Sequence, residues 1–173
     1  MQRIMIIGCG GAGKSTLARR IHALTGLPLV HLDSHYWLPN WVETDKLTWA
    51  SKVTELAQGE SWIIDGNYGG TMELRLARAD TVIFRDMPTG LRIWRVLKRV
   101  ITNYGKTRPD LGPNCPEKFS WQFMGYIAHY NHTRRPGILK RLTELDPSQQ
   151  VFILRSTAEV NEFCQKLEAS ASA

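Results

Sequence analysis

The sequence predicts an α/β fold: a five-stranded parallel sheet flanked by helices, with a helical lid insertion after the fourth strand. Three observations carry that reading. Five short apolar runs are separated by segments of helical pattern, as strands buried on both faces by crossover helices require. A glycine-rich turn joins the first run directly to a helix. At 173 residues the chain has the length of one domain with its own core.

The elements follow in order. Residues 3–7 form the first strand, and the loop "GCGGAGKST" hands over at Gly13 to a helix through about Leu24, closed by the glycine of "TGLP". "LPLVHLD" is the second strand, with Asp33 at its carboxyl end. From a capping Thr44, the spacing of Leu47, Ala50, Val53, Leu56 and Ala57 predicts a helix ended by Gly59. "SWIID" and "TVIFRD" are the third and fourth strands, and "VFILR" is the fifth. Between the last two lie "GLRIWRVLKRVITNYGK", a joint rich in proline and glycine over 105–116, then "EKFSWQFMGYIAHYNHTRR" and "GILKRL". The small-residue tail "ASASA" is expected to fray.

Composition narrows the function classes. A hydrophobic share of 43% with no apolar run near the roughly 18 residues of a membrane helix argues against a spanning protein. An apolar strand follows Met1 with no secretory pattern, which places the chain in the cytoplasm. Cys9, Cys115 and Cys164 are odd in number and far apart, and read as reduced thiols. A formal net charge of +6 favours polyanionic partners, either a nucleotide or a nucleic-acid backbone.

The glycine turn fits two patterns. Gly8, Gly10 and Gly13 match a dinucleotide-binding turn, and Asp33 stands where a ribose-binding acid would; Gly8, Gly13, Lys14 and Ser15 match a phosphate-binding P-loop. Lys14 decides for the second, because a pyrophosphate at a helix N-terminus needs no lysine, whereas a β,γ-phosphate pair with magnesium needs a cation and a hydroxyl. The predicted cradle is Gly8, Gly10, Gly11, Ala12, Gly13, Lys14, Ser15 and Thr16, with Lys14 on the phosphates and Ser15 on Mg²⁺.

Asp65 ends a strand where phosphoryl-transfer sheets place a magnesium-holding carboxylate. Asp33 reads either as the acceptor of a substrate hydroxyl proton or as a turn former. Arg92, Arg95 and Arg99 share one helix face with no acid between Asp86 and Asp110, which suggests an anion opposite them, with Arg108, Arg134 and Arg135 as candidates to join. The joint at 105–116 would let such a lid close. Trp37, Trp41 and Trp49 read equally as packing of a helical flap or as a stacking surface. His129 and His132 lack partners for a zinc cage, and Asp86 reads as a cap on the turn into "MPTG".

The stretches "GCGGAGKSTLARRI", "HLDSHYWLPNW", "WIIDGNYGGTMELRLARADTVIFRDMP" and "RVLKRV" resemble the adenylate-kinase-like branch of P-loop NTPase kinases, most of all the DNA topology modulation proteins. The resemblance covers nearly the whole chain. It implies one P-loop kinase-like domain over 1–173, with an acceptor flap at about 34–60 and a lid at about 92–135. It implies ATP and Mg²⁺, makes Asp65 the aspartate of the Asp-Gly-Phe-Pro-Arg motif, places Arg95 and Arg99 where lid arginines begin, and sets Arg155 in a loop near the adenine. Here the motif reads "DGNYG", with Gly69 where the arginine for a monophosphate acceptor would stand.

The expectation is therefore an ATP- and Mg²⁺-dependent kinase acting on a small-molecule or nucleotide acceptor, monomer or homodimer, with Lys14, Asp33, Arg95 and Arg99 in the reaction. The alternative is a nucleic-acid-binding protein with ATP as regulatory ligand. No N-K-x-D or D-x-x-G element supports a GTPase.

Overall fold

The computed structural model describes residues 1–171. Five parallel strands form the main sheet: β1 (Arg3–Gly8), β2 (Leu29–His31), β5 (Trp62–Asp65), β6 (Thr81–Arg85) and β7 (Gln150–Leu154), in the order β2-β5-β1-β6-β7. β3 (Trp37–Leu38) and β4 (Val42–Glu43) pair separately as a small antiparallel ribbon that the sequence pattern did not announce.

Side-chain alternation along the strands splits the core in two. Ile4, Ile6, Ile63 and Ile83 point to a face covered by α1 (Lys14–Thr25) and α8 (Thr157–Ala171). Met5, Ile7, Ile64, Val82 and Phe84 point to the other. There they meet α3 (Lys46–Ala57), α4 (Met72–Leu76), α5 (Thr89–Asn103), α6 (Trp121–Thr133) and α7 (Arg135–Thr143) through residues such as Val53, Leu76, Val96, Ile127 and Ile138. No helix among the described residues is long and apolar enough to cross a membrane.

β1 is central, and the chain turns one way to β2 and the other to β6 and β7, so a crevice opens at the carboxyl ends of the strands beside β1. β5 separates β2 from β1, whereas a dinucleotide-binding sheet sets those two strands side by side. The sheet order thus rejects the redox reading of the glycine turn.

Several element boundaries differ from expectation. The second strand stops at His31, and Leu32–Tyr36 turn into a short helix, α2, so Asp33 stands in its first turn rather than at a strand end. α3 is capped by Asp45, which accepts from the Leu47 and Thr48 amides, while Thr44 Oγ1 donates to the Tyr36 carbonyl. α8 runs through Ala171, so residues 169–171 of the tail expected to fray are helical, and residues 172–173 lie outside the described residues.

The joint at 105–116 is pinned rather than loose. Bridges Tyr104–Glu117 and Thr107–Pro116 close it on itself, and Leu111 and Cys115 are buried. It is also fastened to the flap: the Asn40 amide donates to the Asn114 carbonyl and Trp41 Nε1 to the Pro116 carbonyl.

Candidate active site

The predicted cradle leaves β1 at Gly8 and enters α1 at Lys14. Gly11 (φ 74°) and Gly13 (φ 85°) hold left-handed torsions that glycine adopts without steric cost. Ala12 N donates to the Cys9 carbonyl at 3.2 Å, closing the turn, and Lys14 Nζ folds back on the same carbonyl at 3.2 Å. Ser15 and Thr16 occupy the first turn of α1. Gly10 has a different reason: a Cβ there would sit 2.4 Å from Phe123 Cζ, so the ring of α6 lies directly on the loop.

Parallel pairing sets Asp65 opposite Ile6 and His31 opposite Asp65. Asp65 is buried, and one of its oxygens holds His31 Nδ1 at 2.7 Å. Burial alone would lower the His31 pKa, but the bond and charge of Asp65 outweigh it and raise the value. His31 is a site residue that sequence reasoning missed, although "HLD" holds it two positions from Asp33.

Asp33 takes a hydrogen bond from the Tyr68 hydroxyl. Burial pushes its pKa up, against the opposing pull of the Tyr68 bond and the Lys14 charge. The charges of Lys14 and Asp65 both act on Asp33, which groups the three at one mouth of the crevice. The "DGNYGG" turn is braced from below by Arg75, 0% exposed, whose guanidinium donates to the carbonyls of Gly66 (2.8 Å), Asn67 (2.6 Å) and Tyr68 (3.1 Å). Its pKa is lowered to about 10 by burial, so it stays charged at neutral pH. Asn67 Oδ1 accepts from the Gly8 amide at 2.8 Å, while its Nδ2 donates to Tyr126 and Tyr130 of α6, tying the loop, the turn and the lid together. Nothing in the sequence marked Arg75 or Asn67 for these tasks.

The basic face of α5 divides. Arg95 stands at the cradle, its Nη1 3.5 Å from where a Gly13 Cβ would lie. Arg92 is 1% exposed and structural: it donates to Asn131 and Thr89 and covers the Tyr130 ring. Arg99 is already paired, with Nε 3.1 Å from the Glu117 carboxylate. Arg108 reaches the same carboxylate at 2.9 Å and Asp110 at 2.7 Å. The anion facing Arg99 is therefore Glu117, fourteen residues beyond the helix end in sequence terms and invisible to helical spacing.

Arg134 is exposed, and Arg135 forms a forked pair with Asp86 at 2.8–3.1 Å rather than joining a clamp. Asp86 is thus an ion-pair anchor, not merely a turn cap. Arg155 lies 3.7 Å from the same carboxylate. Its loop is held by Arg85, which donates to the Leu154 and Ser156 carbonyls. Tyr36 packs edge-on against Trp37 and Trp49 and tilted against Tyr68, while Trp37 meets Trp41, so the tryptophans serve as packing for the flap. Trp49 is buried in the core.

A hydroxyl (Ser15) and a carboxylate (Asp65) beside a phosphate cradle are the hard oxygen donors that suit Mg²⁺, which keeps most of its shell for water and phosphate. The residues present fit the ion.

No family model and no curated protein sequence matches the chain. Solved structures do. The chain is similar to the shikimate kinase of Acinetobacter baumannii, solved with shikimate, at 18% identity and a TM-score of 0.63 over 99% of this chain and 94% of that one. It is similar to the shikimate kinase of Bacteroides thetaiotaomicron at 15% and 0.56, over 99% of each chain. A gluconokinase of Sinorhizobium meliloti 1021 matches at 15% and 0.52, over 99% of this chain and 91% of the other. The chain has the fold of the P-loop kinases.

Proposed function

We propose that the protein transfers the γ-phosphoryl group of ATP to a hydroxyl of a small-molecule acceptor. The observation that carries the reading is the convergence of Lys14, Asp33 and Asp65 at the mouth of a glycine cradle closed by a helix N-terminus. The fold-level likeness to kinases of shikimate and gluconate supports it. Loop amides and Lys14 hold the β,γ-phosphates. Ser15 and Asp65 would hold Mg²⁺, which neutralises phosphate charge when bound.

Asp33 accepts the proton as the acceptor oxygen bonds to the γ-phosphorus and the bond from that phosphorus to the bridging β,γ-oxygen breaks, releasing ADP. Arg95, beside the cradle, stabilises the charge that develops. Arg99 joins only if it leaves Glu117. In this reading residues 34–60 form the acceptor flap and 92–135 the lid over a single domain, and Arg155 borders the adenine.

The acceptor is a hydroxyl compound rather than a nucleoside monophosphate, because Gly69 replaces the gripping arginine and Arg75 spends its donors on backbone carbonyls. The resemblance to topology modulation proteins rests on motifs alone. The test is turnover of MgATP with shikimate, gluconate, hexoses and nucleoside monophosphates as acceptors, with Lys14→Ala as control. Turnover that survives Lys14→Ala unchanged rejects the assignment.

A nucleic-acid reading draws on Trp94, Tyr104 and Trp121, exposed aromatic side chains of the lid each within four residues in sequence of an exposed lysine, Lys98, Lys106 or Lys118. Binding to single-stranded DNA that weakens linearly in log–log salt titration would support it, and no binding at low salt removes it.

A further inference from the structure

Tyr68 combines three features that its place in the core does not require. Its backbone is left-handed (φ 35°, ψ 71°), a conformation that bulky residues avoid. Its carbonyl is gripped at 3.1 Å by Arg75, a fully buried guanidinium whose hydrogen bonds all go to the carbonyls of the turn. Its hydroxyl donates to Asp33 across 35 positions of sequence. Packing of the ring between Tyr36 and Trp49 explains an aromatic residue here, yet phenylalanine would satisfy it equally.

The hydroxyl has one evident purpose. A carboxylate that takes a proton must present a lone pair to the acceptor oxygen, and a free carboxylate on a five-residue helix can rotate away. A donor on Oδ1 fixes the plane of the group and leaves Oδ2 to face the acceptor. Strained torsions held by surrounding structure belong where a side chain must be aimed.

We propose that Tyr68 is a positioning residue for Asp33, and that Arg75 is the clamp that holds Tyr68 in its left-handed pose. The proposal rests on the kinase reading above. It assigns the "NYGG" segment a task in the reaction: the turn aims the base.

Removal of the hydroxyl also removes a hydrogen bond that favours the ionised carboxylate, so Asp33 titrates higher in Tyr68→Phe. The charged groups facing Asp33 are Lys14 from α1, Asp65 from β5 and Arg108 from the lid joint, and the substitution changes none of them.

The experiment compares wild type with Tyr68→Phe and Arg75→Lys, using MgATP and the best acceptor of the panel named above. Tyr68→Phe is expected to lower kcat about ten- to hundred-fold, leave KM for ATP within about two-fold and move the acidic limb of kcat to higher pH. Arg75→Lys, which keeps the hydroxyl but loosens its pose, is expected to lower kcat in the same sense. Carbon-13 NMR titration of the Asp33 carboxyl in the two proteins reads the contact without turnover, with a raised midpoint expected in Tyr68→Phe. An unchanged kcat, or an unchanged Asp33 midpoint in folded Tyr68→Phe, overturns the proposal. If the wild type binds no MgATP, the kinase reading fails, while a moved midpoint still establishes the contact.

Discussion

Glu117→Gln is the perturbation whose size follows most directly from the geometry. The carboxylate is 4% exposed and lies between Arg99 at 3.1 Å and Arg108 at 2.9 Å. At an effective dielectric of about 20, each contact near 3 Å is worth about 5 kcal/mol of Coulomb attraction before desolvation is subtracted. Removing the charge of a buried partner costs about 3–5 kcal/mol, because the opposite charges stay behind. Asp110 remains on Arg108, so the lower end applies, about 3 kcal/mol. For a chain of this size that lowers Tm by about 6–12 °C. The assay is thermal unfolding by circular dichroism, with Arg99→Met combined with Glu117→Gln as the check. The double variant should recover part of the loss, since it removes one stranded guanidinium. A Tm shift under about 2 °C would refute the reasoning and leave the cluster as a surface-like pair of little weight.

Two further outcomes follow from the same contacts. Gly10→Ala should cost about 1–3 kcal/mol, because the new Cβ meets Phe123 at 2.4 Å, and the same substitution made in a Phe123→Ala background should cost little; chemical denaturation of the four proteins reads the difference. Asp110 has its pKa lowered: burial pushes it up, but the Arg108 charge together with a backbone hydrogen bond and the charges of His31 and Arg19 outweighs that. Its stabilisation is present above the unfolded value near about 4 and is lost as pH falls through the lower folded value, so Asp110→Asn should flatten the decline of Tm below about pH 5. Equal slopes in the two proteins would contradict the assignment.

The sheet was legible because five apolar runs and their turns are local signals, and the cradle because its glycines and Lys14 are adjacent in sequence. What escaped was long-range. His31 meets Asp65 and Tyr68 meets Asp33 only after the sheet brings separate segments together, and Glu117 meets Arg99 only after the joint folds back on itself. Helical spacing grouped Arg92, Arg95 and Arg99 as one face, yet packing buried the first, left the second at the loop and paired the third. Asp33 was read as a strand end because it closes the mostly apolar segment "LPLVHLD", whereas α2 begins within that run. The joint at 105–116 looked mobile from its prolines and glycines, but Gly112 is there for a close approach to the Trp37 carbonyl, not for freedom.

The central claim is that the turn after β1 holds a nucleoside triphosphate with Lys14 on its phosphates. Isothermal calorimetry with ATP in magnesium buffer tests it most directly. The account predicts a saturable heat with wild type that is lost in Lys14→Ala; absence of heat with the wild-type protein, or undiminished heat with the variant, would contradict it.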